Sequence, residues 1–225
     1  MRTLAIGDIH GCNRSLVALL NCVRIDVSDE LIFLGDYVDR GPASRLVIET
    51  LLLVGRQYRC VFLRGNHEEM MLSARESVAE AKGWQMCGGL ETIESYGAVY
   101  REDWSKYVPQ SHWEFLDGTR RYFENGTHIF IHGCLDSELD MNQQPDWLLL
   151  WECFGRIKPH KSGKRVICGH TTQGNGTIKD LGFATCIDTG AGEGGWLTCL
   201  DVQSNRYWQA NESGQTREGI LASND

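Results

Sequence analysis

Five short apolar runs in this chain end in residues that can hold a cation or move a proton. Leu4-Ala5-Ile6 leads into Gly7-Asp8-Ile9-His10-Gly11, and Leu31-Ile32-Phe33-Leu34 into Gly35-Asp36-Tyr37-Val38-Asp39-Arg40-Gly41. Cys60-Val61-Phe62-Leu63 is followed by Arg64-Gly65-Asn66-His67-Glu68, His128-Ile129-Phe130-Ile131 by His132-Gly133, and Val166-Ile167-Cys168 by Gly169-His170-Thr171. A lone histidine at a strand end is ordinarily structural, but five repetitions of one placement form a constellation. Carboxylate, imidazole and amide oxygen together make a ligand set suited to Mn, Fe or Zn. Two such ions about 3.5–4 Å apart, sharing a carboxylate, clamp the attacking and leaving oxygens of a phosphoryl displacement. Asp36 ends the middle run of the first three and is the natural shared ligand. Asp8 and His10 then complete one metal site; Asn66, His132 and His170 complete the other.

The other polar residues of these loops supply the rest of that chemistry. A water bridging two divalent ions loses its proton near neutral pH and serves as the nucleophile. The departing alkoxide needs a proton, hence a general acid. His67 directly follows a ligand and is not needed as one. Asp39 is placed to hydrogen-bond its ring, which fixes the tautomer and raises the pKa. Arg40 offers a planar fork matched to phosphate oxygens. Every part of phosphomonoester hydrolysis is then assigned.

Convergence of these residues depends on the elements between them. Asp8, Asp36 and Asn66 recur at intervals of about 30 residues, the length of a βαβ unit. Each strand is followed by a polar loop and then a helical pattern, with Leu16, Leu19, Leu20 and Val23 after the first and Leu46, Val47, Leu51 and Val54 after the second. Parallel neighbouring strands bring such loops to one sheet edge, where α/β folds place their sites. Residues 83–118, rich in aromatics at helical spacing, read as a helical insertion or cap. After Thr119 the pattern turns to strands, with Asn125-Gly126 as a hairpin turn, a helix over about Trp147–Ile157, and strands over 164–168, 184–187, 196–202 and 207–210. The last dozen residues look frayed.

Composition narrows the classes. The charged and hydrophobic fractions, 23% and 42%, are those of a soluble globular protein. The net charge of −8 argues against a phosphate-backbone binder of nucleic acid. No apolar run approaches the roughly 20 residues of a membrane span, and the first strand begins too early to leave room for a signal peptide. Nine cysteines, none in a CxxC pair, read as buried small hydrophobes in a reducing, cytoplasmic compartment. One domain over residues 1–225 is expected, and the oligomeric state is left open.

With these motifs in order, from Met1 to about Val202, the chain resembles the metal-dependent phosphoprotein phosphatase family. It is most similar to the compact bacterial and phage serine/threonine phosphatases. The resemblance implies an α/β fold, a four-layer αββα sandwich of two mixed sheets, and a dinuclear centre that is often Mn²⁺ in bacterial members. It implies phosphoserine or phosphothreonine proteins or peptides as substrates. It also carries the metal, acid and phosphate roles onto the residues already assigned. In one place the sequence departs. Compact relatives place a second phosphate-binding arginine soon after a Trp between the last two histidine ligands, whereas here Trp151 is followed by Glu152-Cys153. Arg156 is the expected replacement. A cation of His160-Lys161-Ser162-Gly163-Lys164-Arg165, or no second arginine at all, are the alternatives.

Two other readings compete. The diadenosine tetraphosphate hydrolase branch has a middle motif resembling GDLVARG and a third resembling GNHD; this chain has Asp39 in place of that Ala and Glu68 in place of that Asp. A non-catalytic metal-binding regulatory module would lack a ligand or the acid, and here both are intact. Asp188-Thr189-Gly190 reads as a strand-end turn near the site. Glu68 either supports the centre or simply opens a helix, where an acid suits the dipole.

Overall fold

A computed structural model describes residues 1–98 and 101–222. The first three strands, β1 (Thr3–Ile6), β2 (Glu30–Phe33) and β3 (Arg59–Phe62), are parallel neighbours. Helix α1 (Asn13–Val23) joins the first pair, α2 (Ser44–Gln57) joins the second, and α3 (Asn66–Glu76) follows β3. The next segment is helical: α4 (Val78–Trp84), a π-turn at Gln85–Gly89, α5 (Leu90–Ser95), a 3-10 stretch at Arg101–Tyr107 and α6 (Gln110–Asp117). Val99 and Tyr100 of this segment, and residues 223–225 of the C-terminal stretch, lie outside the described residues. Strands β4 (Tyr122–Glu124) and β5 (His128–Ile131), helix α7 (Asp146–Trp151) and strand β6 (Arg165–Cys168) come next. Strands β7 (Lys179–Asp180), β8 (Ala184–Cys186), β9 (Leu197–Asp201), β10 (Arg206–Ala210) and β11 (Thr216–Ile220) follow.

The strands form two mixed sheets, ordered β11-β10-β9-β1-β2-β3 and β4-β5-β6-β8-β7. Period-two alternation divides their side chains between three cores. Leu4, Ile6, Leu31 and Phe33 pack under α1 and α2. Ala5, Ile32 and Leu34 face Phe130, Ile167 and Ile187 of the other sheet. Ile129, Ile131, Val166 and Cys168 face outward onto Leu149 of α7 and Phe154. Helices, sheet, sheet and helices are therefore stacked in four layers, the αββα sandwich. Burying each of these larger side chains contributes about 1.5–3 kcal/mol. A one-residue slip would turn every one of them to the wrong layer, so the register that aligns the strand ends is firmly set. The loops after β1, β2, β3, β5 and β6 consequently emerge on one edge.

Two expectations need correcting. The helix expected to reach Ile157 stops at Trp151, and Phe154–Arg156 form a separate 3-10 turn. The carbonyls that would extend it have other partners: Gly133 N–H donates to Leu149 O (2.6 Å) and Cys134 N–H to Leu148 O (3.1 Å). The C-terminal stretch is not frayed through 220, because β11 pairs with β10 as an edge strand. Its residues are mostly exposed, so it carries no hydrophobic alternation for a sequence to reveal.

Candidate active site

The backbone at the strand ends is unusual. His10, Asp36, Asp39, Arg40 and His170 all have positive φ, between 47° and 73°, a conformation that costs a non-glycine residue about 1–3 kcal/mol and clusters at functional sites. Close approach does the rest. A Cβ on Gly65 would lie 2.1 Å from Asp36 Oδ1, and one on Gly169 would lie 2.0 Å from Asp8 Oδ1. Glu68, fully buried, folds back over the loop and accepts from the backbone N–H groups of Asp36 (2.8 Å), Tyr37 (2.7 Å) and Gly65 (2.8 Å). It therefore supports the centre, and burial, reinforced by Asp36, pushes its carboxyl up to about 7.

Asp36 stands between two groups. Its Oδ2 is 3.3 Å from His10 Nε2 and its Oδ1 is 3.4 Å from His132 Nε2. Ligand atoms of His10, Asp36 and His67 lie within 4.8 Å of one another, as do those of Asp36, His132 and His170. Asn66 Oδ1 is 3.0 Å from both His132 Nε2 and His170 Nδ1.

The tautomers make these distances informative. His10 donates from Nδ1 to Val38 O (3.0 Å) and His132 from Nδ1 to Leu34 O (3.0 Å), while His170 donates from Nε2 to Trp151 O (3.1 Å). The nitrogens that face Asp36 and Asn66 therefore carry lone pairs. A second proton there is disfavoured, since burial pulls His10 down to about 3 and His132 down to about 4, although Asp36 pulls the other way. Lone pairs thus face lone pairs in a buried pocket, an arrangement that suits cations. Asp8 points the same way. Its Oδ2 accepts from His170 N–H (2.9 Å), while Oδ1 is buried with no hydrogen-bond partner among the described residues. Burial, with Asp188 and Asp36 close by, raises its pKa well above the carboxylate range. Asp36 runs opposite: burial opposes its charge, but His132, His67 and His10 hold its pKa low. The donor set fits divalent cations, with Asp8 outside the two tight groups.

Beside this cluster, His67 Nδ1 donates to Asp39 Oδ2 (2.7 Å). Asp39 is fully buried and also receives Trp84 Nε1–H (2.7 Å) and Thr92 Oγ1–H (2.7 Å). Burial alone would lower His67, but Asp36 and Asp39 outweigh it and its pKa rises. Burial also raises Asp39, against the bonds from His67, Thr92 and Trp84. One proton is thus held between the two, and the two further donors aimed at the carboxylate, from Trp84 and Thr92, favour its place on the imidazole. Arg40 Nη2 lies 3.4 Å from His67 Nε2.

The structure brings together nine of the ten residues assigned from sequence; Arg156 is apart. Its side chain is 79% exposed and pairs with Glu152 at 3.4 Å. The alternative cations are engaged too: Lys161 with Asp140 (2.7 Å), Lys164 with Glu124 (2.6 Å) and Arg165 with Asp180 (3.1 Å). Sequence reasoning missed Trp84 and Thr92, which reach Asp39 from the helical segment with no local signal. It also left Asp188 without a role, although this buried residue lies close enough to Asp8 to raise its pKa.

Known proteins resemble this chain. Serine/threonine-protein phosphatase 1 of Salmonella typhimurium is 41% identical over 211 residues, covering 88% of this chain and 90% of that protein. The symmetrical bis(5'-nucleosyl)-tetraphosphatase of Methylobacillus flagellatus is 34% identical over 120 residues; the match covers 51% of this chain and only 40% of that enzyme. A solved cold-active protein tyrosine phosphatase superposes with a TM-score of 0.66 at 17% identity, over 96% of this chain and 78% of that one, a likeness of fold. Residues 1–183 match the family described as calcineurin-like phosphoesterase, and the chain belongs to that family.

Proposed function

We propose that the protein hydrolyses phosphomonoesters of phosphoserine and phosphothreonine proteins or peptides. The observation that carries this reading is the position of Asp36, shared between two acceptor groups, with an imidazole–carboxylate pair and an arginine at its side. In the reading Asp36 would be shared by two divalent cations, Asp8 and His10 would help hold one, and Asn66, His132 and His170 would help hold the other. Such ions, with Mn²⁺ the first choice, neutralise phosphate charge and activate water. His67 protonates the departing serine or threonine oxygen from Nε2, and Asp39 keeps the ring oriented with its Nδ1 proton in place. Arg40 holds the phosphate oxygens. Arg156 supplies a second phosphate contact only by releasing Glu152. Residues 1–225 act as one domain, and nine free thiols support a cytoplasmic setting.

Length of match favours this substrate over dinucleoside tetraphosphates, since the similarity to the phosphatase spans most of the chain and that to the tetraphosphatase about half. Turnover of a phosphoserine peptide and of diadenosine tetraphosphate, each with Mn²⁺ added, tests the choice. The peptide is expected to have the higher kcat/KM. The reverse order would assign the tetraphosphatase activity instead, and no turnover of any phosphomonoester would mean a binding module.

A further inference from the structure

Glu193 sits over Arg40, and no role assigned so far uses it. Its Oε1 is 3.5 Å from Arg40 Nη1, and the two side chains are 58% and 36% exposed. The backbone beneath it is pinned. Glu193 N–H donates to Gly190 O (3.0 Å), Cys12 Sγ–H donates to Ala191 O (3.3 Å), and Gly192 lies so close to the His10 side chain that a Cβ there would stand 2.6 Å from it. Thr172 Oγ1 lies 3.4 Å from the Glu193 carboxylate and 3.0 Å from Asp188 Oδ2. The Arg40 guanidinium is thus flanked by His67 on the side of the buried cluster and by a carboxylate on the side of solvent. A phosphate held by Arg40 would lie beside that carboxylate.

We propose that Glu193 is a specificity-determining residue that favours phosphomonoesters with a positive charge next to the phosphate, such as phosphopeptides flanked by Lys or Arg. A cationic side chain gives Glu193 a new partner and releases Arg40 to the phosphate. A polyanionic leaving group, such as the remainder of a dinucleoside polyphosphate, adds negative oxygens where a carboxylate already stands. Two unit charges about 4 Å apart in water interact by roughly a fivefold factor in an equilibrium constant, and salt screens the effect. The inference rests on the reading of Arg40 as the phosphate-binding residue.

The test uses the full chain with Mn²⁺ and two phosphoserine peptides that differ only in having Lys or Glu beside the phosphoserine. Wild type is expected to prefer the Lys peptide. Glu193→Gln should reduce that preference about fivefold, Glu193→Lys should invert it, and high salt should shrink the contrast. A merely structural role would lower both peptides together, and that result, or an unchanged ratio in both variants, overturns the inference. Calorimetric binding of inorganic phosphate separates this from the activity assignment. E193Q should bind phosphate more tightly than wild type even if no peptide is turned over. Unchanged phosphate affinity contradicts the inference, whereas absence of turnover with tightened phosphate binding contradicts only the assigned reaction.

Discussion

At the floor of the site, His10, Asp36 and His132 are at most 2% exposed, and His10 and Asp36 hold a left-handed backbone. At the rim, the side chains of Arg40 and Glu193 are 36% and 58% exposed and pair directly with one another, and Arg156, farther out, is 79% exposed and pairs with Glu152. The floor is over-determined: His10, Asp36 and His132 are each fixed by a hydrogen bond to backbone, and Glu68 ties the loop after β2 to the start of α3. The rim is held by ion pairs that contribute about 0–1 kcal/mol each when exposed. In the proposed reading, chemistry common to every substrate lies in the buried part, and selection among substrates lies in the exposed part that an incoming charge can rearrange.

Mutations should separate the two regions by the size of their effects. Asp36→Asn removes the one residue common to both acceptor groups. Turnover should fall by more than the ~10–100-fold that loss of a residue supporting a metal ligand typically costs. His67→Gln should lower kcat on a phosphoserine peptide by about 10²–10⁴-fold, the range of general acid catalysis. The loss should be smaller on nitrophenyl phosphate, whose leaving group needs little protonation. An equal loss on both substrates would remove the acid role.

Asp39→Asn should cost about 10–100-fold and carry a pH signature. Asp36 and Asp39 raise the His67 pKa, and the acid works only while protonated. Activity is therefore lost as pH rises through that pKa. Removing the Asp39 charge lowers the pKa and should move the alkaline limb of the kcat profile to lower pH. A limb that stays in place would separate Asp39 from the acid.

Glu68→Gln replaces an acceptor of several buried N–H groups and should cost about 1–3 kcal/mol of stability, read as a lowered Tm at about 2–4 °C per kcal/mol. Outside the buried cluster, Arg156→Ala should raise KM about fivefold or less. An unchanged KM would leave Arg40 as the sole phosphate-binding arginine.

The floor was legible because its parts are local: each candidate ligand sits at the end of an apolar run, and the interval of about 30 residues told that the ends converge. What supports the floor was not legible. Trp84 and Thr92 reach Asp39 across a helical segment whose packing no spacing reveals. Glu68 sat within a motif, yet its type and position suited a helix start equally well. The end of α7 was misread because tertiary donors, Gly133 and Cys134, take its carbonyls. The strand β11 was missed because an exposed edge strand needs backbone partners and not hydrophobic alternation. Glu193, in a run of glycines, gave no sign that its turn folds back over Arg40.

The central claim is that two carboxylates of one short loop do different work, Asp36 binding cations and Asp39 acting only through His67. Elemental analysis of the Asp36→Asn and Asp39→Asn proteins, purified alongside wild type, tests it directly. The account predicts a full complement of metal in Asp39→Asn with turnover lowered about 10–100-fold, and depleted metal in Asp36→Asn. Depletion of metal in Asp39→Asn, or a full complement in Asp36→Asn, would contradict it.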